Sequence, residues 1–530
     1  MKWQTETFED FYGRNMCNKI PDKDFVYNAL LRYNYLPIGK KHPDDIPFPV
    51  FSTEDFTPDI ADEMIKQYSS KRQEKIEIKQ KVNGYDQIEY RATRFNLVTR
   101  LFHIPHPSPY ARLCKRLSEH WDKLSYICKN CTSREKPAKH DTGRRVMGEW
   151  GDLEQISVMN YSKLSDVKHR LKISTGKFYR VTADISSFFP SIYTHSIPWA
   201  VVGRDKAKVN SNEQQLWYNE LDEAQRDVKR GETQGIPIGP GTSHIISEFI
   251  LSKVDEVLCN GYQFVRYIDD YECYCETREE AEKFILNLER ELRKYLLSLN
   301  PTKAIVEELP LAYQDQWVIV LRNNIPPQRQ PSPRDIMSFL DLAVDLQKHH
   351  PEGSVLKYAT RMLANSKKFD KNSADFFLKY LIYLAVHRPS VLPILCQVAK
   401  QNGVGSDLDI TPVLKQSIKF HRSDAICWSL YFMGIMGQKV SGDLAERIIE
   451  TKDCMSIAML IALKQHREKV VNFLNTTIAC DSYYHCDQYW ILIHELTADC
   501  SKFKPYRGDS GLKFLIEKKV HFIKPISPRM

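Results

Sequence analysis

Asp269 and Asp270 are adjacent carboxylates between two β-favouring runs, Gln263-Phe264-Val265-Arg266 and Tyr271-Glu272-Cys273-Tyr274-Cys275. That pattern predicts a β-hairpin with Tyr267-Ile268-Asp269-Asp270 at its tip. An Asp-Asp pair alone is an ordinary turn dipeptide. A third carboxylate, Asp184, closes the strand-like run Lys177-Phe178-Tyr179-Arg180-Val181-Thr182-Ala183. One acid facing a pair on a neighbouring hairpin supplies the hard oxygen ligands that Mg²⁺ takes beside substrate phosphates. Two such ions about 3.5–4 Å apart clamp the attacking and leaving oxygens of a phosphoryl transfer. The three acids together point to that chemistry.

The elements that must hold these acids are legible around them. Between Asp184 and the hairpin runs Gln234-Gly235-Ile236-Pro237-Ile238-Gly239-Pro240-Gly241, a glycine- and proline-punctuated loop. Such a loop is more often just a turn, but glycine also lets backbone approach a ligand closely. It enters a helix predicted from Thr242 to about Leu258, whose apolar residues Ile245, Ile246, Phe249, Ile250, Val254 and Val257 fit one buried face. Asn300-Pro301-Thr302-Lys303 then follows the hairpin.

The order Asp184, Gln234-Gly235, Tyr267-Ile268-Asp269-Asp270, Asn300-Pro301-Thr302-Lys303 resembles the reverse transcriptase palm over residues 95–310. The resemblance implies that Asp184, Asp269 and Asp270 hold two catalytic Mg²⁺ ions. It implies that Phe189 is a steric gate against a ribose 2′-hydroxyl, and that Gln234 and Gly235 contact the incoming nucleotide. Lys303 matches the palm lysine near the triphosphate, where a cation neutralises developing charge. The run Ile192-Tyr193-Thr194-His195-Ser196-Ile197-Pro198-Trp199-Ala200 looks like the abortive-infection (Abi) and defence-associated reverse transcriptases of bacteria, as do Thr233-Gln234-Gly235-Ile236-Pro237 and Glu248.

Composition fits a large enzyme. The chain has 530 residues, a formal charge of +8 and 13 cysteines, an odd and scattered set that suits reduced thiols. No run approaches the ~20 apolar residues of a membrane span, and the Met1-Lys2-Trp3-Gln4-Thr5-Glu6 start opens no signal peptide. The expected location is the bacterial cytoplasm. Cys128 and Cys131 have zinc-like spacing without a second pair, and read as structural. From Lys115 to Arg180 there are 15 Lys/Arg against 8 Asp/Glu, a net of +7. This stretch reads either as a phosphate-holding surface or as a solvated basic face. Within it, Arg170 and Arg180 are the candidates for contacting a triphosphate.

After Pro331-Ser332-Pro333 the pattern turns helical, with segments at Asp335–His349, Ser354–Lys367, Ala374–His387 and Val391–Gln401. Each is too short to fold alone, so they must stack. The predicted architecture is an α+β reverse transcriptase fingers and palm with a ferredoxin-like antiparallel sheet. An all-α, HEAT-like helical-repeat solenoid follows in place of a thumb. The expected domains are an N-terminal extension (1–95), fingers and palm (96–330) and the helical domain (331–530).

The Abi resemblance implies dNTP polymerisation for antiphage defence, primed by a protein tyrosine. It is untemplated in some relatives and templated by an associated noncoding RNA in others. The partners implied are dNTPs, a DNA product covalently attached to protein, a noncoding RNA, no membrane, and copies of the same chain in a homo-oligomer. Among 27 tyrosines, Tyr33, Tyr35, Tyr483 and Tyr484 are the candidates. Two other readings stay open. A primer–template-copying reverse transcriptase of a mobile element would demand an annealed exogenous primer. A vestigial nucleic-acid-binding scaffold would protect against phage without Asp269.

Overall fold

The computed structural model describes residues 20–36, 48–67, 84–95, 98–128, 148–150, 155–157, 163–327, 329–403, 407–477, 483–497 and 510–528. The strands in chain order are β1 (Gln87–Phe95), β2 (Val98–Pro105), β3 (Gly148–Trp150), β4 (Gln155–Ser157), β5 (Tyr179–Asp184), β6 (Phe264–Tyr267), β7 (Asp270–Cys275) and β8 (Ile305–Glu308). The chain divides into two compact units. One holds residues 1–36, 53–87 and 104–311, and the other holds 37–52, 88–103 and 312–530.

The first unit is built on a four-stranded sheet in the order β6-β7-β5-β8, with every neighbouring pair antiparallel. Helix α1 (Lys163–Ser174) precedes β5, helix α2 (Gly241–Leu258) lies between β5 and β6, and helix α3 (Arg278–Arg293) lies between β7 and β8. From β5 onward, with four further helices inserted between Phe188 and Asp227, the order is β-α-β-β-α-β, the ferredoxin-like arrangement. Strand alternation assigns the two faces. Val181, Ala183, Tyr271, Cys273 and Cys275 point to one face and are buried, and α3 packs against β5, β7 and β8. Arg180, Thr182 and Asp184 point to the other, opposite Tyr274, Glu272 and Asp270 in the β5–β7 register. On that second face Ile173 from α1 packs with Val265, Tyr267 and Tyr274.

The expected helix from Thr242 is α2, which starts one residue earlier and ends at Leu258 as expected. The expected hairpin is β6–β7, in which Tyr267 pairs with Asp270 so that only Ile268 and Asp269 form the loop.

The second unit is mostly helical: α4 (Pro333–His349), α5 (Val355–Ser366), α6 (Lys371–His387), α7 (Leu392–Asn402), α8 (Thr411–Lys419), α9 (Ser423–Ile435), α10 (Gly442–Glu450) and α11 (Cys454–Ala462). Ser332 caps α4 in a reciprocal capping box with Asp335, and Pro333 stands at the first turn where its missing N–H costs nothing. Helices pack as pairs, α4 with α5, α6 with α7, α8 with α9 and α10 with α11, and each also touches the helix two places along. This unit takes in most of the β1–β2 hairpin. Arg91 N–H donates to Ser423 Oγ at 3.0 Å, and Thr93 donates through N and Oγ1 to Asp424 at 2.8 and 2.9 Å. Among the described residues no helix is long and apolar enough to cross a membrane.

Candidate active site

The β5–β7 register sets Asp184, the last residue of β5, directly opposite Asp270, the first of β7. Asp269 is held by its backbone, whose carbonyl accepts from Ile185 N–H at 3.2 Å. Asp270 stands at the exposed end of the inner strand β7, yet its carboxyl is crowded by its neighbours. That loss of hydration, then the Asp269 charge, then the hydrogen bond and charge of Asp184 push its pKa up to about 7, while Lys303 pulls the other way.

Asn300-Pro301-Thr302-Lys303 closes onto this pair. Lys303 Nζ lies 3.2 Å from Asp184 Oδ1. Asn300 N–H donates to the Asp184 carbonyl at 2.8 Å, and its side-chain amide reaches Asp184 Oδ2 at 3.4 Å. Asn300 Oδ1 in turn accepts from Thr302 N–H and Oγ1 at 3.2 and 2.8 Å, the side-chain turn that aims Lys303 back at the strand. Sequence reasoning singled out Lys303 and missed Asn300. The signal was an Asx residue two before a threonine.

The loop at Gln234 docks on the segment that follows Asp184. Gly235 N–H donates to the Ile192 carbonyl at 2.7 Å, Ile236 N–H to the Phe189 carbonyl at 3.0 Å, and Tyr193 bridges to Gln234. The Gln234 amide donates to the carbonyls of Pro190 and Ser191 at 3.1 and 3.2 Å. Gly235 has φ +80°, and a Cβ there would lie 2.9 Å from the Pro190 carbonyl oxygen, so glycine is required twice over. Phe189 is half-buried, its ring 5.2 Å from that of Phe188 and edge-on to that of His244 at the same distance. His244 comes from the first turn of α2, and burial drives its imidazole pKa down to about 4 against the opposing pull of Glu248.

Arg170 and Arg180 lie on the same sheet face as Asp184 but are engaged in ion pairs. Arg170 meets Glu272 at 3.0 Å and stacks on the Tyr267 ring, and Arg180 meets its cross-strand partner Glu307 at 2.8 Å. Tyr35 is wholly buried, with its hydroxyl donating to the Pro105 carbonyl at 2.6 Å, which makes it a core residue here. Tyr33 and Tyr484 are half-buried. The Tyr483 side chain, Cys131 and the basic residues Arg134, Lys136, Lys139, Arg144 and Arg145 lie outside the described residues. Cys128 is half-buried.

Residues 120–316 match the family model described as Reverse transcriptase (RNA-dependent DNA polymerase). The chain carries a reverse transcriptase domain. It is the domain of a reverse transcriptase-like nucleotidyltransferase, and all four sequence motifs around Asp184 fall inside the matched span. No curated protein sequence matches the chain. Among solved structures, an apo telomerase from Candida tropicalis aligns with 76% of this chain and 69% of its own, at 12% identity and a TM-score of 0.28. A superposition that loose adds nothing to the sequence match.

The donor chemistry of the reverse transcriptase domain suits divalent ions. Asp184 and Asp270 face one another across β5 and β7, and burial and the neighbouring acids hold the Asp270 carboxyl above the usual carboxylate range although Lys303 opposes them. Among the described residues no three His, Cys, Asp or Glu side chains are gathered closely enough to ligate a single ion. The fit is therefore one of donor type and pairing. Three acids at the ends of the two inner strands, beside a lysine, suit a hard cation shared with substrate oxygens.

Proposed function

We propose that the reverse transcriptase domain polymerises deoxynucleotides at Asp184, Asp269 and Asp270. One observation carries this reading: the register that sets Asp184 opposite Asp270 with the Lys303 ammonium 3.2 Å from Asp184. Two Mg²⁺ ions held by the three carboxylates would supply the Lewis acidity that activates the attacking oxygen and steadies the leaving one. Lys303 stabilises negative charge as pyrophosphate departs. The half-buried Phe189 ring, backed by His244, rejects the ribose 2′-hydroxyl. Gln234 and Gly235 present backbone to the nucleotide, with Gly235 kept bare by its left-handed conformation. Arg170 and Arg180 reach a triphosphate only by exchanging Glu272 and Glu307 for phosphate oxygens.

The finer reading places the chain among Abi-type, antiphage reverse transcriptases and rests on the Tyr193-Thr194-His195-Ser196-Ile197 run. The pairwise stacking from α4 to α11 supports a HEAT-like solenoid in place of a thumb, a surface for product and for a homo-oligomer. The same resemblance supports synthesis that starts on a protein tyrosine. Tyr33 and Tyr484 are the better exposed of the described candidates, since Tyr35 would have to leave the core.

The test is incubation of nucleic-acid-free protein with Mg²⁺ and each labelled dNTP, then denaturing gels before and after protease, with Asp269→Asn as control. Label that travels with protein and is released by protease supports protein priming. Incorporation only after an annealed primer–template or a co-purifying RNA is added replaces that finer reading with templated synthesis. Incorporation by Asp269→Asn equal to the parent protein defeats the site.

A further inference from the structure

Arg266 is the residue before Tyr267, at the end of a strand that is otherwise apolar or aromatic. Its side chain has no exposed surface. Glu248 and Asp255, seven residues apart and so on one face of α2, both turn inward to meet it. Arg266 Nη1 and Nη2 donate to the two Glu248 oxygens at 2.7 and 2.9 Å. Nε lies 3.1 and 3.0 Å from the two Asp255 oxygens, and Nη2 reaches Asp255 Oδ2 at 2.8 Å. One donor of Nη1 is left, and it goes to the Ile268 carbonyl at 2.7 Å. The guanidinium has five N–H groups, and this geometry employs all of them. Tyr271 Oη adds a hydrogen bond to Asp255 Oδ1 at 3.0 Å.

The fifth bond falls where the backbone is under strain. Ile268 has φ +56°, left-handed for a β-branched residue, in the first position of a two-residue loop that ordinarily prefers glycine. Such a conformation is strained and persists only where its surroundings over-determine it. The cluster itself is an improbable stability device, because buried ion clusters are commonly matched or beaten by apolar packing of the same volume. What apolar packing cannot do is hold a carbonyl oxygen.

We propose that Arg266 is a positioning residue for nucleotidyl transfer: clamped by Glu248 and Asp255, it holds the Ile268 carbonyl and so fixes the loop that presents Asp269 and Asp270 to Asp184. Because α2 is the helix entered from the Gln234–Gly241 loop, the clamp ties the nucleotide-side loop and the acidic hairpin to one rigid element. The inference rests on the reading of Asp184, Asp269 and Asp270 as the reacting site, and Arg266 acts only through the turn.

The test replaces the cluster with apolar groups of similar size, Arg266→Met, Glu248→Met, Asp255→Leu and Tyr271→Phe together, and separately keeps the charge but not the fork with Arg266→Lys. Thermal unfolding identifies which variants are folded, and dNTP incorporation and hydrogen exchange are then measured on those. The expected result is a drop in kcat of about 100-fold with KM for dNTP unchanged, the signature of misplaced reacting groups. Exchange at the amides of 268–270 rises, while that of the other β6 and β7 strand amides stays as in the parent. A folded variant with parental kcat and parental exchange at 268–270 overturns the proposal, as does a loss confined to thermal stability. Asp269→Asn in the parent background separates the two readings. If it retains full activity the reacting site is elsewhere, and the exchange comparison still decides whether Arg266 holds the turn.

Discussion

Lys303 Nζ lies 3.2 Å from Asp184 Oδ1, on the same carboxylate that pairs across the sheet with Asp270. The lysine side chain is about half exposed, so its ion pair with Asp184 contributes little to stability. In the proposed reaction its position suits charge that appears only as pyrophosphate leaves. Lys303→Met is expected to lower kcat by about 100-fold while leaving the unfolding temperature nearly unchanged. Steady-state incorporation of a labelled dNTP, read beside a thermal melt, checks both halves.

Phe189 meets its neighbours with one edge on His244 and the rest half-open. Phe189→Ala is expected to admit ribonucleotides, narrowing the dNTP-over-NTP ratio of kcat/KM by about 100-fold, while dNTP use falls only modestly. Competition between one dNTP and its ribonucleotide counterpart measures it. An unchanged ratio would remove Phe189 from the gate.

Gly235→Ala places a Cβ 2.9 Å from the Pro190 carbonyl on a residue whose φ is +80°. The strain, about 1–2 kcal/mol for a left-handed alanine, must be relieved by moving the loop off the Phe189–Tyr193 segment. Raised KM for dNTP with a small loss of stability is the expected outcome. Equal KM in parent and variant would show that the loop does not contact nucleotide.

Asp227 ends the helix Trp217–Asp227, where a carboxylate faces the unfavourable pole of the helix dipole. Burial first, with Glu223 adding and Arg112 and Arg226 opposing, pushes its pKa up to about 6. A carboxyl whose folded pKa is raised favours the protonated fold. Its contribution is fully present below the unfolded pKa near 4 and is lost as pH rises through about 6. Asp227→Asn is expected to be more stable than the parent by about 2 kcal/mol above pH 7 and equal to it below about pH 4. Denaturant unfolding at pH 4 and pH 8 decides it.

Much of this site could be read from residue order because its parts are local. Tyr267-Ile268-Asp269-Asp270 between alternating apolar runs specifies a hairpin whatever surrounds it, and the glycine-rich loop before Thr242 specifies entry into a helix. Likewise the helical pattern after Pro331-Ser332-Pro333 is reproduced by α4, which starts two residues before the expected Asp335 and ends at His349 as expected. The basic candidates behaved otherwise. Charge and position in the chain single out Arg170 and Arg180, but whether an arginine can meet phosphate depends on its neighbours across the sheet. Here those neighbours are Glu272 and Glu307.

Residue order alone supplies the parts of the proposed site: three acids, a lysine, a bulky ring and a bare glycine, each marked by a side-chain type or turn signal acting over a few residues. Tertiary structure alone decided which strand faces which, and therefore that Asp184 meets Asp270 and that Asn300 braces Asp184. It also decided that Arg266, which reads as a stray charge in an apolar strand, spends its five donors on Glu248, Asp255 and the Ile268 carbonyl. It placed Thr93 against Asp424, more than three hundred residues away. The physical reason is the range of the forces involved. Propensity and turn chemistry act between near neighbours in the chain, whereas register, burial and the pairing of charges are fixed only when distant segments close on one another.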